Sequence, residues 1–552
     1  MSSPTAPRLT VTDWLVIVIA SIGFLFDTYV LLMTPLVGVP AIAELLQLPP
    51  NNPLVTEWMG RMLWITALSG GVFGLLGGWL IDRFGRKRIM AAAIFFYAFS
   101  PFASAFVTTL PWFVFFRCTT FIGVCVEFVA AITWLAELFP DKRRKEIVLG
   151  STQAFASLGG LLVTGVNVWI VAYADTLPAI LNGHASWRYT LMTGLLPAIP
   201  IALLLPFVPE SQVWRERRAA GTLKRPSFGE LFAPGLRRVT LVTAALSACA
   251  YGAAFGALQL TPLRVAPGLP ELAEQRTALK PLQTEAAGLN QQLDAAMPAF
   301  KQAVADVPGL GALVAERSKN RIAFRAANKI AAKEKADALA GSFKELGAKL
   351  DALTAATPDA KKALIEREKI LKALGDNRDK QAPLDVLVKE RGNRIQMRQE
   401  LGGLFGRIAL AGLLLTAIPR GRMLRIFLIP GIVLFAITYT SLYSAGGAGF
   451  EWGVFFCGFL VVAQFSYFGE YLPKIFPVHL RGTGGSFATN VGGRMIGTSA
   501  AFVTTYFASK MTGASTFNNV AFVAAIVGTS VFVIALAISF LLPEPKAEAP
   551  AD

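Results

Sequence analysis

Gly78-Trp-Leu-Ile-Asp82-Arg83-Phe-Gly85-Arg86-Lys87-Arg88 joins two apolar runs, about residues 58–81 before it and 88–110 after it. Four bases and one acid within seven residues cannot lie in hydrocarbon, so the stretch reads as a short polar loop between two spanning helices. Working outward, apolar runs place further spans at about 14–39, 112–137, 146–173 and 188–208. The second half adds about 238–262, 402–418, 423–444, 452–476, 483–508 and 517–542. Each lies near the ~20 residues that a bilayer demands. The fold class expected is an all-α membrane protein with twelve transmembrane helices in two six-helix repeats.

Composition agrees. The 552 residues are 54% hydrophobic and 16% charged, with 40 Phe. The net charge of +16 would suggest nucleic acid in a soluble chain, but here the bases fall in short loops, where they set topology. Basic clusters follow spans two, four, six, eight and ten: Arg83–Arg88, Lys142–Lys145, Arg215–Arg218, Arg420–Arg425, and Lys474 with His479 and Arg481. The opposite loops carry Glu44, Glu57, Asp175 and Glu451 and few bases. Both termini are therefore expected in the cytoplasm, with the chain in a bacterial inner membrane. The first apolar run, about 25 residues, is too long for the core of a signal peptide and reads as a retained helix. Cys118, Cys125, Cys249 and Cys457 all sit in apolar runs, and His184 and His479 lie far apart, so neither a disulfide framework nor a metal site is indicated.

The halves repeat. Gly85-Arg86 precedes Phe139-Pro140, and Gly421-Arg422 precedes Phe476-Pro477, at Gly-to-Pro spacings of 55 and 56 residues. Four residues beyond each proline stands an arginine, Arg144 or Arg481. Two six-helix units of this kind are what an alternating-access transporter is built from.

Residues 265–400 interrupt the second unit. This stretch is rich in Ala, Lys, Glu, Asp and Leu and has no spanning run. Apolar residues recur in steps of three and four at Leu279, Leu282, Ala286, Leu289, Leu293 and Ala296, and again at Leu339, Phe343, Leu346, Leu350 and Leu353. Such seams belong to helices that pack on one another, giving a soluble coiled-coil-like insert between spans seven and eight. Pro298, Pro308-Gly309, Pro358 and Gly375 mark expected breaks. Two readings stay open for the insert: a spacer or lid, or a docking surface for a periplasmic partner. The expected organisation is 1–210, an N-terminal six-helix domain; 211–237, a cytoplasmic linker; 238–264, span seven; 265–400, the extracytoplasmic insert; and 401–552, spans eight to twelve with the tail.

Ionisable residues at bilayer depth are costly and so are functional candidates. Asp27 lies mid-way along span one, and Arg117 and Glu127 lie in span four. Ten residues put Glu127 roughly 80° round from Arg117 and ~15 Å along the axis, with room for Asp27 at a depth between them. A carboxylate that gains and loses an arginine partner can load and release a proton, whereas a static pair would only hold two helices together. Span ten offers Glu470. Span eleven offers Arg494, flanked by Gly492, Gly493 and Gly497, which let helices approach and press the arginine inward. There it can hold a carboxylate or phosphate of a substrate, or pair with Glu470. In span five Gln153, Ser157 and Thr164 share one face, joined by Asn167, and either line a cavity or bind helices together.

At this point the residues resemble a known family. The order Gly78, Asp82, Arg83, Gly85, Arg86, Lys87 resembles the signature loop between helices two and three of major facilitator transporters. Glu137-Leu-Phe-Pro140, Pro209-Glu210-Ser211 and Pro543-Glu544 resemble marks of the sugar-porter and metabolite:proton symporter branch. The resemblance implies that Gly78, Asp82, Arg83, Gly85, Arg86, Glu137, Arg144 and Arg481 form a cytoplasmic gate. It also implies that Asp27, in Gly23-Phe-Leu-Phe-Asp27, couples protons with Arg117 as its partner, and that Gln153 stands near the first sugar-binding glutamine. The chain departs from sugar porters where their second helix-five glutamine is replaced by Gly160, where the region of Tyr251 and Gln259 lacks the paired amides, and where Gly469 and Glu470 replace a tryptophan. Arg494 instead resembles the helix-eleven arginine of symporters for organic and aromatic acids.

These readings converge on proton-coupled symport of a small organic anion. Asp27, Arg117 and Glu127 would serve the proton, and Gln153, Asn167, Glu470 and Arg494 the substrate. A sugar:proton symporter, a proton-driven exporter and a transporter-like receptor or scaffold are the alternatives. No nucleotide-binding loop, catalytic constellation or cofactor motif occurs in the sequence. The expected partners are a small solute, protons and the lipid bilayer, with no nucleic acid.

Overall fold

The computed structural model describes residues 10–46, 48, 53–139, 142–181, 184–196, 198–221, 226–314, 316–317, 320, 333–416, 418–512 and 515–544. Among them every element is a helix. The principal ones are α1 (Val11–Leu46), α2 (Pro53–Phe84), α3 (Arg86–Ser104), α4 (Leu110–Leu138), α5 (Lys142–Tyr173), α6 (Ser186–Met192), α7 (Ala198–Leu204), α8 (Gln212–Ala219) and α9 (Arg237–Gly256). There follow α10 (Ala273–Asp306), α11 (Lys333–Leu353), α12 (Pro358–Leu414), α13 (Arg420–Ile437), α14 (Gly447–Ile475), α15 (Arg481–Ser486), α16 (Phe487–Ile496), α17 (Ala500–Lys510) and α18 (Thr516–Ser539).

Seven stretches of the described residues are long and apolar enough to cross a membrane: Val11–Leu46, Glu57–Phe84, Leu110–Leu138, Arg237–Gly268, Arg420–Ala445, Gly447–Ile475 and Thr516–Ser539. The other predicted spans take different forms, each for a local reason. Span three is the 19-residue α3. In span five α5 carries an apolar stretch over Phe155–Val171. Span six is divided into α6 and α7 by a 3-10 turn at Thr193–Leu195, around the weak helix former Gly194. Span eleven is α15, α16 and α17 in succession, and α16 is a ten-residue π-helix. Wide turns of that kind concentrate at functional sites. Exposed rings cover the outside: Phe95, Phe96 and Phe99 on α3, Trp112 and Phe115 on α4. A band of this kind would aggregate in water and is ordinary against lipid.

The chain divides into two compact units, and the larger comprises 1–174, 178–271 and 391–552. It holds two hydrophobic clusters, one drawn from residues between Val16 and Val208 and the other from residues between Leu231 and Leu542. In the first, α1 packs on α5 and α3 on α4; in the second, α9 packs on α16 and α18, and α13 on α18. Helix α2 also packs on α15 and α16, which joins the two clusters.

The smaller unit comprises 175–177 and 272–390. Its cluster contains Phe300, Ala303, Val307, Leu310, Val314, Leu350, Ala360, Ala363 and Leu364. The two seams read from sequence lie on α10 and α11, with Leu279, Leu346 and Leu350 buried. Asn377 donates to the Leu282 carbonyl at 3.0 Å and Arg367 stands 4.4 Å over the Phe300 ring, so α10 and α12 run antiparallel between these contacts. Breaks occur near Pro308-Gly309 and at Pro358, but Pro298 stays inside α10 and Gly375 inside α12. Phe300 and Ala303 on one helix and Leu364 and Ile370 on the other are buried close to those positions. Their packing outweighs the cost of a proline or glycine in the helix. Leu350→Ala should destabilise this unit by about 3 kcal/mol, read as faster amide exchange in α10 and α11 with α9 unchanged.

No break falls at residue 400. Helix α12 continues for 57 residues, and its portion from Arg391 onward belongs to the larger unit. Arg391 clamps this point: it bonds Glu271 at 2.6 Å, donates to the Gly447 carbonyl at 3.1 Å and pairs with Glu451.

Candidate functional site

Asp82 lies at the last turn of α2, where α15 begins opposite. Its carboxylate accepts the backbone N–H groups of Gly482 (2.9 Å) and Thr483 (2.7 Å) and the Thr483 hydroxyl (2.8 Å). A negative charge on the first turn of a helix is stabilised by the exposed N–H groups there. The approach needs two glycines: a Cβ on Gly78 would meet the Gly482 carbonyl at 2.5 Å, and one on Gly482 would meet the Gly78 carbonyl at 2.7 Å. Arg86 is fully buried. It grips Glu137 with two hydrogen bonds of 2.9 Å, donates to the Val478 carbonyl at 2.9 Å and lies 3.5 Å from Asp82. Arg481 approaches Glu137 to 3.6 Å. Gly85 takes φ +106°, which frees the first N–H groups of α3, those of Arg86 and Lys87, for Glu210. Of the predicted gate residues, Gly78, Asp82, Gly85, Arg86, Glu137 and Arg481 thus assemble in one place. Arg83 stacks on Trp79 at 4.8 Å instead. The Arg144 side chain falls outside the described residues. Asp82→Asn should loosen this contact by about 1–3 kcal/mol, because a charged acceptor of three hydrogen bonds becomes a neutral amide. Spin labels at Arg83 and Arg422 would report it as a new, longer distance.

A cavity of about 120 Å³ of open space lies among α1, α4, α5, α9, α12, α14 and α16. Its polar lining is Asp27, Thr28, Ser157, Tyr251, Gln259, Gln399, Glu400, Arg407 and Arg494, and its apolar lining includes Phe24, Phe128, Phe255 and Phe465. Asp27 is 6% exposed, and among the described residues no N–H or hydroxyl donates to either carboxylate oxygen. Its charged neighbours are Glu127 and Arg494. Glu127 lies against Gly23, one turn before Asp27, where any side chain would collide with its Oε1. Arg494 donates to Asn490 at 2.8 Å within the π-helix and stands 5.3 Å over the Phe128 ring. Gly493 beside it lies against Tyr251 of α9. Arg117 bonds Thr34 and the Val30 carbonyl, further along α1, so in this conformation it is not joined to Asp27. Two of its nitrogens, Nε and Nη1, have no partner.

A model of the Major Facilitator Superfamily matches residues 17–282. The niacin transporter NiaP of Acinetobacter baylyi is 28% identical over 160 residues, 29% of this chain and 33% of that protein. The cis,cis-muconate transport protein of the same organism is 26% identical over 200 residues, 35% of this chain and 46% of that one. Among solved structures, the partially occluded inward open form of the E. coli xylose transporter XylE is similar at a TM-score of 0.55 and 15% identity, covering 98% of this chain and 100% of that one. Close to half of the chain thus matches the major facilitator superfamily. The chain matches between a third and a half of the length of these curated relatives, and the likeness to XylE is one of fold.

The second half of the chain repeats the first half's gate with a shift that the sequence did not reveal. Glu544 accepts the N–H groups of Arg420 and Gly421 at 3.0 Å, as Glu210 does those of Arg86 and Lys87. Arg420 then pairs with Glu470 at 3.2 Å, and Lys474 also binds that carboxylate. Arg420 therefore answers to Arg86, two residues from the match through Gly421-Arg422. Glu470, expected at the substrate, lies in this network and not in the cavity lining. Asn167 accepts from Thr190 at 2.9 Å and is likewise absent from that lining. The Gln153 side chain falls outside the described residues; among the described members of its helical stripe, Ser157 reaches the cavity.

The sequence reading missed Gln399, Glu400 and Arg407. Arg407 bonds Ser157 of α5 at 3.2 Å and Ser466 of α14 at 3.1 Å. Glu400 stands seven residues earlier on the same face of α12. The available signal was an arginine inside the apolar run that begins at Gly402, with a carboxylate two turns before it.

Proposed function

We propose that this protein is a secondary active transporter that carries a small carboxylate-bearing solute together with protons. The observation that supports it most is Asp27: a buried carboxylate with unpartnered oxygens, neighbouring both Glu127 and Arg494, at the wall of a cavity. Two carboxylates cannot hydrogen-bond to each other, because both only accept; one shared proton supplies the missing donor. That proton leaves the pair with a single negative charge and Arg494 less fully balanced. A substrate carboxylate then becomes the natural second partner of the guanidinium, which offers a planar fork of donors. The niacin and muconate carriers handle carboxylic acids by name, which accords with this assignment.

In the proposed cycle the closed contact of Asp82 with α15 seals one end of the cavity while solute and proton load from the other. Breaking it and rocking the halves exposes the cavity at the signature-loop end. The twelve-span topology, with that loop and both termini in the cytoplasm of a bacterial cell, belongs to the same proposal. Arg117, with two unpartnered nitrogens on the Thr34 side of Asp27, is placed to take over the carboxylate in another state of the cycle.

The test is reconstitution into liposomes, with uptake of nicotinate, cis,cis-muconate and xylose measured with and without an imposed pH gradient. Carboxylate uptake that rises when the outside is acidified supports the assignment. Uptake of xylose alone, or uptake indifferent to the gradient, overturns it.

A further inference from the structure

The cavity has a second charged end that the proton cycle does not use. Helix α12 brings Gln399, Glu400 and Arg407 to it, all three 9% exposed or less. Arg407 is anchored through Nε to Ser157 and through Nη1 to Ser466. Among the described residues Glu400 receives a single contact, 3.4 Å from the neighbouring Gln399 amide through Oε1. Its Oε2 points toward Gly160 of α5, where a Cβ would stand 3.0 Å away. The missing side chain at Gly160 thus makes the space that this carboxylate occupies. Gln399 Oε1 is buried with no hydrogen-bond partner. Two acceptors, one charged and one neutral, therefore stand beside open space with their hydrogen-bonding capacity unfilled. Leaving buried acceptors unfilled is costly, and a ligand donor removes that cost.

We propose that Gln399 and Glu400, braced by Arg407, form a second recognition pole that takes a hydrogen-bond donor, a hydroxyl or an ammonium group, on the solute whose carboxylate lies on Arg494. This rests on the carboxylate assignment above and narrows it: the cargo is a small acid that also carries a donor. Charge fits the assignment. Glu400 and Arg407 offset each other, so the pole adds no net charge to the site, and a hydroxyl or a cation can sit against the acceptor side. A site built to satisfy such a donor discriminates strongly against the analogue that lacks it, because the empty acceptors remain buried.

The experiment uses the full-length protein in liposomes and three probes of equal length: butyrate, 4-hydroxybutyrate and 4-aminobutyrate. Each is tested as a competitor of nicotinate uptake, or as the radiolabelled solute if nicotinate is not carried. The expected result is at least tenfold tighter competition by one of the donor-bearing acids than by butyrate, and the stronger of the two identifies the donor as hydroxyl or ammonium. Glu400→Gln is expected to reduce that preference, read as the ratio of the donor-bearing acid to butyrate, at least tenfold. Gly160→Ala keeps every ionisable group and crowds Oε2, so it should lower the same preference in a protein that still folds. Equal competition by all three acids, or a preference unchanged in both variants, overturns the proposal. If no carboxylate competes but xylose is carried, the assignment of the Arg494 end fails. The Glu400 pole is then read from xylose uptake: loss in Glu400→Gln and Gly160→Ala keeps it, and unchanged uptake overturns it.

Discussion

Asp27→Asn should reduce the protein from a concentrating transporter to an equilibrating one. In a symporter that takes one proton per solute, each unit of imposed pH difference supports about tenfold accumulation, since one pH unit is worth ~1.4 kcal/mol per proton. The asparagine keeps the shape and removes the ionisable group from the wall of the cavity. With the coupling lost, internal solute should rise only to the outside concentration whatever the gradient. Exchange of labelled for unlabelled solute across the same liposomes should persist, because that half-cycle needs no net proton movement. The neighbourhood makes this result specific. Among the described residues no protein N–H or hydroxyl donates to Asp27, so the one bond at stake is the one through the proton shared with Glu127. Glu127→Gln removes the other member of the pair and should weaken coupling while Asp27 remains, so the two variants together show whether the proton belongs to one carboxyl or to both. Full gradient-driven accumulation in Asp27→Asn would remove the proton assignment altogether.

The fold was legible from the sequence wherever physics acts locally. The loop from Gly78 to Arg88 announces its neighbours as spanning helices by charge alone, and seven of the expected spans meet the length and hydropathy that a membrane requires. Asp82, Gly85, Arg86 and Glu137 were singled out by the resemblance of their motifs to those of major facilitator transporters. Their partners were less legible: Gly482 and Thr483 lie 400 and 401 residues from Asp82, and no periodicity joins them.

The cavity was only half legible, for two reasons. The first is that sequence gives a residue's turn on its helix but not the tilt or axial offset between helices. Arg117 and Asp27 can be drawn together on such grounds; the offset of α4 against α1 instead puts Arg117 at Thr34 and Glu127 near Gly23. The second is that a helix lining a polar cavity has the composition of a soluble one. The charged character of residues 358–398 runs on without a break, so Gln399 and Glu400 read as the end of the insert although their helix has already entered the larger unit at Arg391. Any deletion of the insert must therefore stop short of the Glu271–Arg391 clamp. Removing residues up to 400 would take the second pole of the cavity with it.

Arg494→Gln should abolish carboxylate transport more completely than any other single change at the substrate end. Arg494 is 5% exposed and lines the cavity, and its hydrogen-bonding neighbours are uncharged groups, Asn490 at 2.8 Å with Cys125 and Tyr251 beside it. Truncating one partner of a buried charged pair costs roughly 2–5 kcal/mol, or about thirtyfold and upward in kcat/KM. Arg494→Lys separates charge from geometry. Lysine keeps the positive charge that Asp27 and Glu127 require but presents a point charge where the guanidinium offers a fork. The expected order of carboxylate uptake is wild type, then lysine, then glutamine. Proton-driven uptake of an uncharged solute, if xylose is carried at all, should not follow that order, because a sugar gains nothing from a fork that matches a carboxylate. Should glutamine and wild type transport nicotinate alike, Arg494 serves only to balance the two acids beside it, and the cargo's carboxylate must be held by Arg407, whose remaining terminal nitrogen, Nη2, has no hydrogen bond among the described residues. That alternative inverts the cavity: the donor of the solute would then face Asp27, and Glu400→Gln would impair transport of plain and donor-bearing acids equally.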